Sequence, residues 1–184
     1  MRHFTDIQGK ADQRDEDAAH DQAFDTDVFI VGTGPTGATA ALALATYGIR
    51  TMFISQWSWL ANTPRAHITN QRAMEVARDL GVEDQILQDA VPWEWMGDTP
   101  FATSLVGEEI ARFPSWGVGD ERSGDYRLGS PCTMVDIPQT YMEPILVQNA
   151  AERGAKVLFS TRYLGHVQDS DGVTVRLLDR NSEH

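Results

Sequence analysis

This chain has a single cysteine, no apolar run long enough to cross a bilayer, and far fewer basic than acidic residues. One Cys132 excludes an internal disulfide and any zinc cluster of the multi-cysteine kind. Without a long apolar stretch there is no candidate transmembrane helix, and the amino-terminal segment lacks the apolar core of a signal peptide. Fifteen Lys and Arg against twenty-seven Asp and Glu give a net charge of −12, which argues against nucleic acid or an anionic membrane as partner. Cytoplasm is the expected compartment. No internal repeat is present.

Much of the negative charge precedes the first apolar run. Asp6, Asp12, Asp15, Glu16, Asp17, Asp21 and Asp25 crowd a polar leader over residues 1–25. Such a segment buries too little apolar surface to offset its ordering entropy and is expected to be flexible. The remaining residues, 26–184, suffice for one domain with a real core.

That domain opens on its most informative stretch, Asp27-Val28-Phe29-Ile30-Val31-Gly32-Thr33-Gly34-Pro35-Thr36-Gly37. A hydrophobic strand, read as buried, runs into a glycine turn, and the turn opens a helix of small residues from Ala38 to Ala45. In a strand–turn–helix setting Gly32 permits the tight turn, Gly34 lets a pyrophosphate approach the backbone, and Gly37 lets the helix pack on the strand. Pro35 suits the first helical position, Thr36 follows it, and the free N–H groups of the helix end attract phosphate. A dinucleotide is the ligand this pattern predicts. The second strand, Thr51–Ser55, ends without the carboxylate that usually grips a ribose. Ser55 either bonds a ribose hydroxyl more weakly or simply ends the strand, and no basic cluster marks a 2′-phosphate.

Further along, breakers place residues 56–67 in a loop. Helices are predicted from Thr69-Asn70 to Gly81, over Val82–Ala90, and from Pro138 to Gly154. Residues 91–137 read as a long irregular insert of the kind that covers a site, with a hairpin turning at Gly107. Ala155–Ser160 reads as a buried strand. Tyr163–Val167 and Val173–Leu177 form a hairpin around Asp169-Ser170-Asp171-Gly172, where Asp171-Gly172 is a turn signal. The alternation of strands and helices predicts an α/β fold, a parallel sheet with an antiparallel hairpin attached.

Three segments together carry a family resemblance: Val31–Gly37, Thr63-Pro64-Arg65-Ala66-His67-Ile68-Thr69-Asn70-Gln71-Arg72, and Asp136-Ile137-Pro138-Gln139 continuing to Glu143-Pro144. They resemble the FAD-dependent aromatic-ring hydroxylases, most closely the phenol and chlorophenol branch, collinearly over roughly residues 26–180. The resemblance implies a Rossmann-like FAD-binding fold, FAD as cofactor, NAD(P)H and O₂ as co-substrates and a small phenol as substrate. It implies further that Gly32, Gly34, Pro35, Thr36, Gly37, Ser55, Arg65 and Gln139 bind the cofactor. Arg65 would lie along the pyrophosphate with its guanidinium fork, the alternative being a surface arginine. Gln139 would bond the cofactor, where alone it would read as a helix-start residue. His67 either draws the proton from a phenol hydroxyl or orders its loop. Trp93, Trp95 and Trp116 either line an aromatic pocket or serve as core.

Members of the family are far longer, and two later cofactor segments have no counterpart here. The chain is therefore expected to be the N-terminal part of a hydroxylase, an incomplete fold that on its own binds FAD weakly and hydroxylates nothing, with a homo-oligomeric full-length form. A non-catalytic nucleotide-binding remnant is the second reading. An NAD-dependent dehydrogenase is the third, disfavoured by Ser55 and by the Arg65–Arg72 segment.

Overall fold

The computed structural model describes residues 25–117, 119 and 123–182. Apart from Asp25, the acidic leader lies outside the described residues, and with it the expectation of flexibility. Strand β1 (Val28–Val31) leads through the glycine turn into helix α1 (Pro35–Thr46) and then strand β2 (Thr51–Ile54). The next elements are β3 (Ile68–Thr69), α2 (Gln71–Asp79), α3 (Glu83–Asp89) and a single 3₁₀ turn at Trp93–Trp95. Then come β4 (Asp98–Ala102), β5 (Glu109–Pro114), α4 (Ser123–Gly129), β6 (Val135–Asp136) and α5 (Gln139–Glu152). Finally β7 (Lys156–Leu158) precedes the hairpin of β8 (Thr161–Gln168) and β9 (Val173–Asp179).

The parallel sheet has the order β1-β2-β7. Val28–Val31 aligns with Thr51–Ile54, and Met52–Ile54 with Lys156–Leu158. Central β2 is the buried strand, with Thr51, Phe53 and Ile54 inaccessible. Strand β1, read from its composition as buried, is only half-buried, and Val31 is 59% exposed. The reason is position: β1 is paired on one side only among the described residues.

Helix α1 buries Ala38, Ala41, Leu42 and Ala45, positions spaced three and four apart that form one stripe. Small alanines bring its axis close to α5, whose Met142, Ile145, Leu146 and Ala150 join the same core as Phe53, Met74, Leu80, Val82 and Ile86. Helix α2 starts and stops where predicted, and the structure adds a side-chain cap at its start. Asn70 Oδ1 accepts from Ala73 N at 2.9 Å, and Gly81 closes α2 at φ +67°.

The predicted antiparallel hairpin is β8–β9, with a register shift at Gly165 and the Asp169 side chain accepting from the Asp171 and Gly172 amides at the turn. It is joined to the sheet end by Thr161 N to Ser55 O and Ser160 N to Trp57 O. The 91–137 stretch is less irregular than its composition suggests. Besides the hairpin turning at 103–108, it holds α4 and the short β6, which pairs with β3. Strands of two residues are too short for a periodicity signal.

Candidate functional site

Two of the three glycines in the turn hold positions that only glycine permits. Gly32 takes φ +117°, and its N–H donates to Ile54 O at 2.9 Å, fixing the turn to β2. A Cβ on Gly37 would stand 2.2 Å from Gly32 O, so only glycine lets α1 start this close to the strand. Gly34 differs. It has ordinary extended backbone at the N-cap of α1, and a Cβ there would meet nothing nearer than Glu143 Oε1 at 3.8 Å. The space before Gly34 is thus open to a ligand rather than filled by protein.

The first intrahelical bond is Ala38 N to Gly34 O, and no side chain caps the helix. The N–H groups of Thr36 and Gly37, with no acidic residue in that first turn, remain for an anion. A shallow depression lined by Ile30, Val31, Gly32, Gly34, Pro35, Thr36, Gly37 and Ala40 marks the place. Free amides, a positive helix end and a glycine facing open space are what a pyrophosphate group requires. The residues present fit it.

Around this turn the other predicted residues are placed unevenly. Ser55 follows β2 and is 6% exposed; its Oγ accepts the Trp57 N–H at 3.2 Å, so it shapes the turn that ends the strand. Gln139 opens α5, and its Nε2 donates to Glu143. Arg65 is exposed and forms no ion pair among the described residues. It lies on a segment tethered on both sides of it. Ala61 N donates to Glu143 Oε2 at 2.7 Å, and His67 O accepts from Ile137 N at 2.7 Å. His67 is 56% exposed, with Nδ1 2.8 Å from Asp136 Oδ1.

The three tryptophans do not converge as one wall. Trp93 donates through Nε1 to Trp116 O at 2.8 Å, stacks on Tyr126 with centroids 5.7 Å apart, and carries the Arg127 guanidinium over its ring. Trp95 is 77% exposed. Among the described residues no group of three His, Cys, Asp or Glu is placed to hold a metal ion.

Glu143, quoted from the sequence only as part of a motif and given no role there, proves central. Only 3% exposed, it borders the open space at Gly34 and accepts from the Ala61 N–H in the loop before Arg65 and from the side chain of Gln139. Its signal was a carboxylate set among Met142, Ile145 and Leu146 on a buried helix, where an acid stands only when paired. Asp136 was noted only as part of a motif. Its role depends on the pairing of β3 with β6, which sequence spacing does not reveal.

Comparison with known proteins accords with this geometry. A family model described as FAD binding domain matches residues 25–184. The chain is 54% identical over 156 residues to phenol 2-monooxygenase of Pseudomonas sp. (strain EST1001), covering 85% of this chain and 26% of that protein. It has the same identity and coverage with 2,4-dichlorophenol 6-monooxygenase of Cupriavidus pinatubonensis. The chain thus spans about a quarter of the length of these relatives. Among solved structures it resembles the flavin-dependent monooxygenase PieE in complex with FAD and substrate, at TM-score 0.82 and 39% identity over 86% of this chain and 28% of that one. Aklavinone-11 hydroxylase with FAD and aklavinone is similar at TM-score 0.76 and 29% identity, over 85% and 30% of the two chains. By sequence and by fold, the chain belongs to the FAD binding domain family.

Proposed function

We propose that this chain forms the adenosine- and pyrophosphate-holding part of an enzyme that hydroxylates phenols or chlorophenols with NAD(P)H and O₂. The observation that carries the reading is Gly34, open to space at a helix N-terminus whose amides are uncommitted. Bound FAD supplies the electron transfer and oxygen activation, which no side chain can provide. The amides around Gly32, Gly34, Thr36 and Gly37 hold its pyrophosphate, with Pro35 setting the helix start. Arg65, on its tethered segment, closes on the phosphates with a two-pronged guanidinium. Ser55 bonds the ribose and Gln139 the cofactor. His67 takes the proton from the phenol hydroxyl.

The relatives' names support a phenolic substrate, while the negative net charge supports a small molecule rather than nucleic acid or a membrane. In this reading the full-length form is a cytoplasmic homo-oligomer that acts in the breakdown of aromatic compounds. No helix among the described residues is long and apolar enough to cross a membrane.

Gly34→Val tests the reading. A β-branched side chain would fill the open volume and is expected to abolish FAD binding, measured by flavin fluorescence, while the fold persists. Unchanged FAD affinity would remove the glycine turn from the site. Phenol-stimulated NAD(P)H consumption by the FAD-loaded protein then separates an enzyme from a nucleotide-binding remnant.

A further inference from the structure

We propose that Trp57 is the adenine platform of the dinucleotide site, its indole stacking on the base while the Arg180 guanidinium backs the ring from the other side. The proposal rests on the reading of the glycine turn as the pyrophosphate cradle and adds the hold on adenosine that the end of β2 otherwise lacks.

Ser55 alone gives adenosine little to hold. No carboxylate stands beside it in Ile54-Ser55-Gln56, and its Oγ already accepts the Trp57 N–H at 3.2 Å. A neutral hydroxyl bonds a ribose more weakly than an ionised acceptor does. Strands β1 and β2 run parallel with Val31 beside Ile54, so the glycine turn and the 55–57 segment leave the same edge of the sheet one strand apart. A dinucleotide with its pyrophosphate at the end of β1 carries its adenosine over the end of β2. Trp57 stands there, 63% exposed.

The ring is held but not covered. Trp59 stacks on Phe159, whereas Trp57 stacks on no other ring among the described residues. The Arg180 guanidinium lies over it at 5.8 Å from the centroid, which leaves the opposite face for a ligand. Backbone bonds fix both residues: Ser160 N donates to Trp57 O at 2.8 Å and Arg180 N to Ser160 O at 2.7 Å. Arg180 Nη1 donates to Gln56 O at 2.7 Å. Ser160 itself takes φ +52°, a left-handed backbone that a non-glycine residue keeps only where its surroundings enforce it. Arg180 Nε is buried without an acceptor among the described residues, so Gln56 and the indole set the guanidinium's place rather than an ion pair. A ring fixed before binding loses little freedom when a flat base lands on it.

Titration of the ¹⁵N-labelled chain with ADP and, separately, with inorganic pyrophosphate tests this, with the Trp57 indole N–H identified through Trp57→Phe. ADP should move that resonance saturably together with the Gly34, Thr36 and Gly37 amides, and pyrophosphate should move the glycine-turn amides alone. Trp57→Ala should weaken ADP by about ten- to a hundredfold, the worth of one base stacked on an aromatic ring, with pyrophosphate affinity unchanged. Trp57→Phe should regain most of the loss. An indole that stays still at saturating ADP, or a Trp57→Ala chain that binds ADP as the parent does, overturns the proposal. So does an equal loss of ADP and pyrophosphate affinity, which would make Trp57 a support of the turn only. Tighter binding of 2′,5′-ADP than of ADP, with the gain lost in Arg180→Met, would put the guanidinium on the ligand instead of behind the indole and overturn the proposal as well. A moving indole beside glycine-turn amides that stay still would support the platform and overturn the cradle.

Discussion

At the scale of single residues, the glycines of the turn separate into two kinds, and substitution should tell them apart. Gly37→Ala places a methyl group 2.2 Å from the Gly32 carbonyl, so helix or strand must move. Overpacking of this kind costs about 1–3 kcal/mol, and the melting temperature should fall accordingly. Gly34→Ala meets only Glu143 Oε1 at 3.8 Å, and its backbone is one any residue adopts. Its melting temperature should stay near that of the parent while FAD affinity falls by roughly tenfold or more, about 1.4 kcal/mol. Equal melting losses in the two variants would contradict the division. Arg65 is predicted to act through its fork. Arg65→Ala should weaken FAD retention by roughly 1.5–3 kcal/mol in a shielded site, and Arg65→Lys should restore only part of it. FAD content unaltered by either change would return Arg65 to the solvated loop.

Between elements, Glu143 of α5 links the cradle to the loop that carries Arg65. Glu143→Ala would leave the half-buried Ala61 N–H and Gln139 amide without their acceptor, at up to about 1 kcal/mol for each, since water can reach part of both. Hydrogen exchange at the Ala61 amide should accelerate in this variant before global unfolding does. An Ala61 amide as protected as in the parent would show that the loop is held by other contacts.

The junction of α2 and α3 responds to acid. Arg78 bonds Glu83 through Nη2 at 2.8 Å and holds its carboxyl below the usual range, against the opposing effect of burial. Arg72 and the Ser130 hydroxyl do the same for Glu75. Each carboxyl binds protons less readily folded than unfolded. Its contribution is therefore complete above the unfolded value of about 4.3 and disappears as pH falls through the lower folded value. Cys132 works in the opposite sense: burial, then Glu83, pushes its thiol up. That stability is complete below about 8.5 and is lost as pH rises above it. Denaturation midpoints followed against pH should show both flanks, and Glu83→Gln should flatten the acid one.

For the whole molecule, what was legible in the sequence is what short-range physics dictates. The strand–glycine–helix order, the helix start at Asn70-Gln71, the Gly81 stop and the Asp171-Gly172 turn are written in consecutive residues, and all appear where spacing placed them. The roles of Glu143 and Asp136 were not legible in this way. Each depends on a partner from 69 to 82 residues distant, Asp136 on His67 and Glu143 on Ala61. The exposure of Val31 was misjudged because composition reports a strand's apolarity and not how many neighbours it has.

The central claim is that the turn before α1 holds the pyrophosphate of FAD. Titration of the ¹⁵N-labelled chain with FAD into the millimolar range tests it directly, since amide shifts register even weak binding. The account predicts saturable shifts at the Gly34, Thr36 and Gly37 amides, accompanied by Ser55 and Arg65 and abolished in Gly34→Val. Glycine-turn amides that stay still while resonances elsewhere saturate would contradict it.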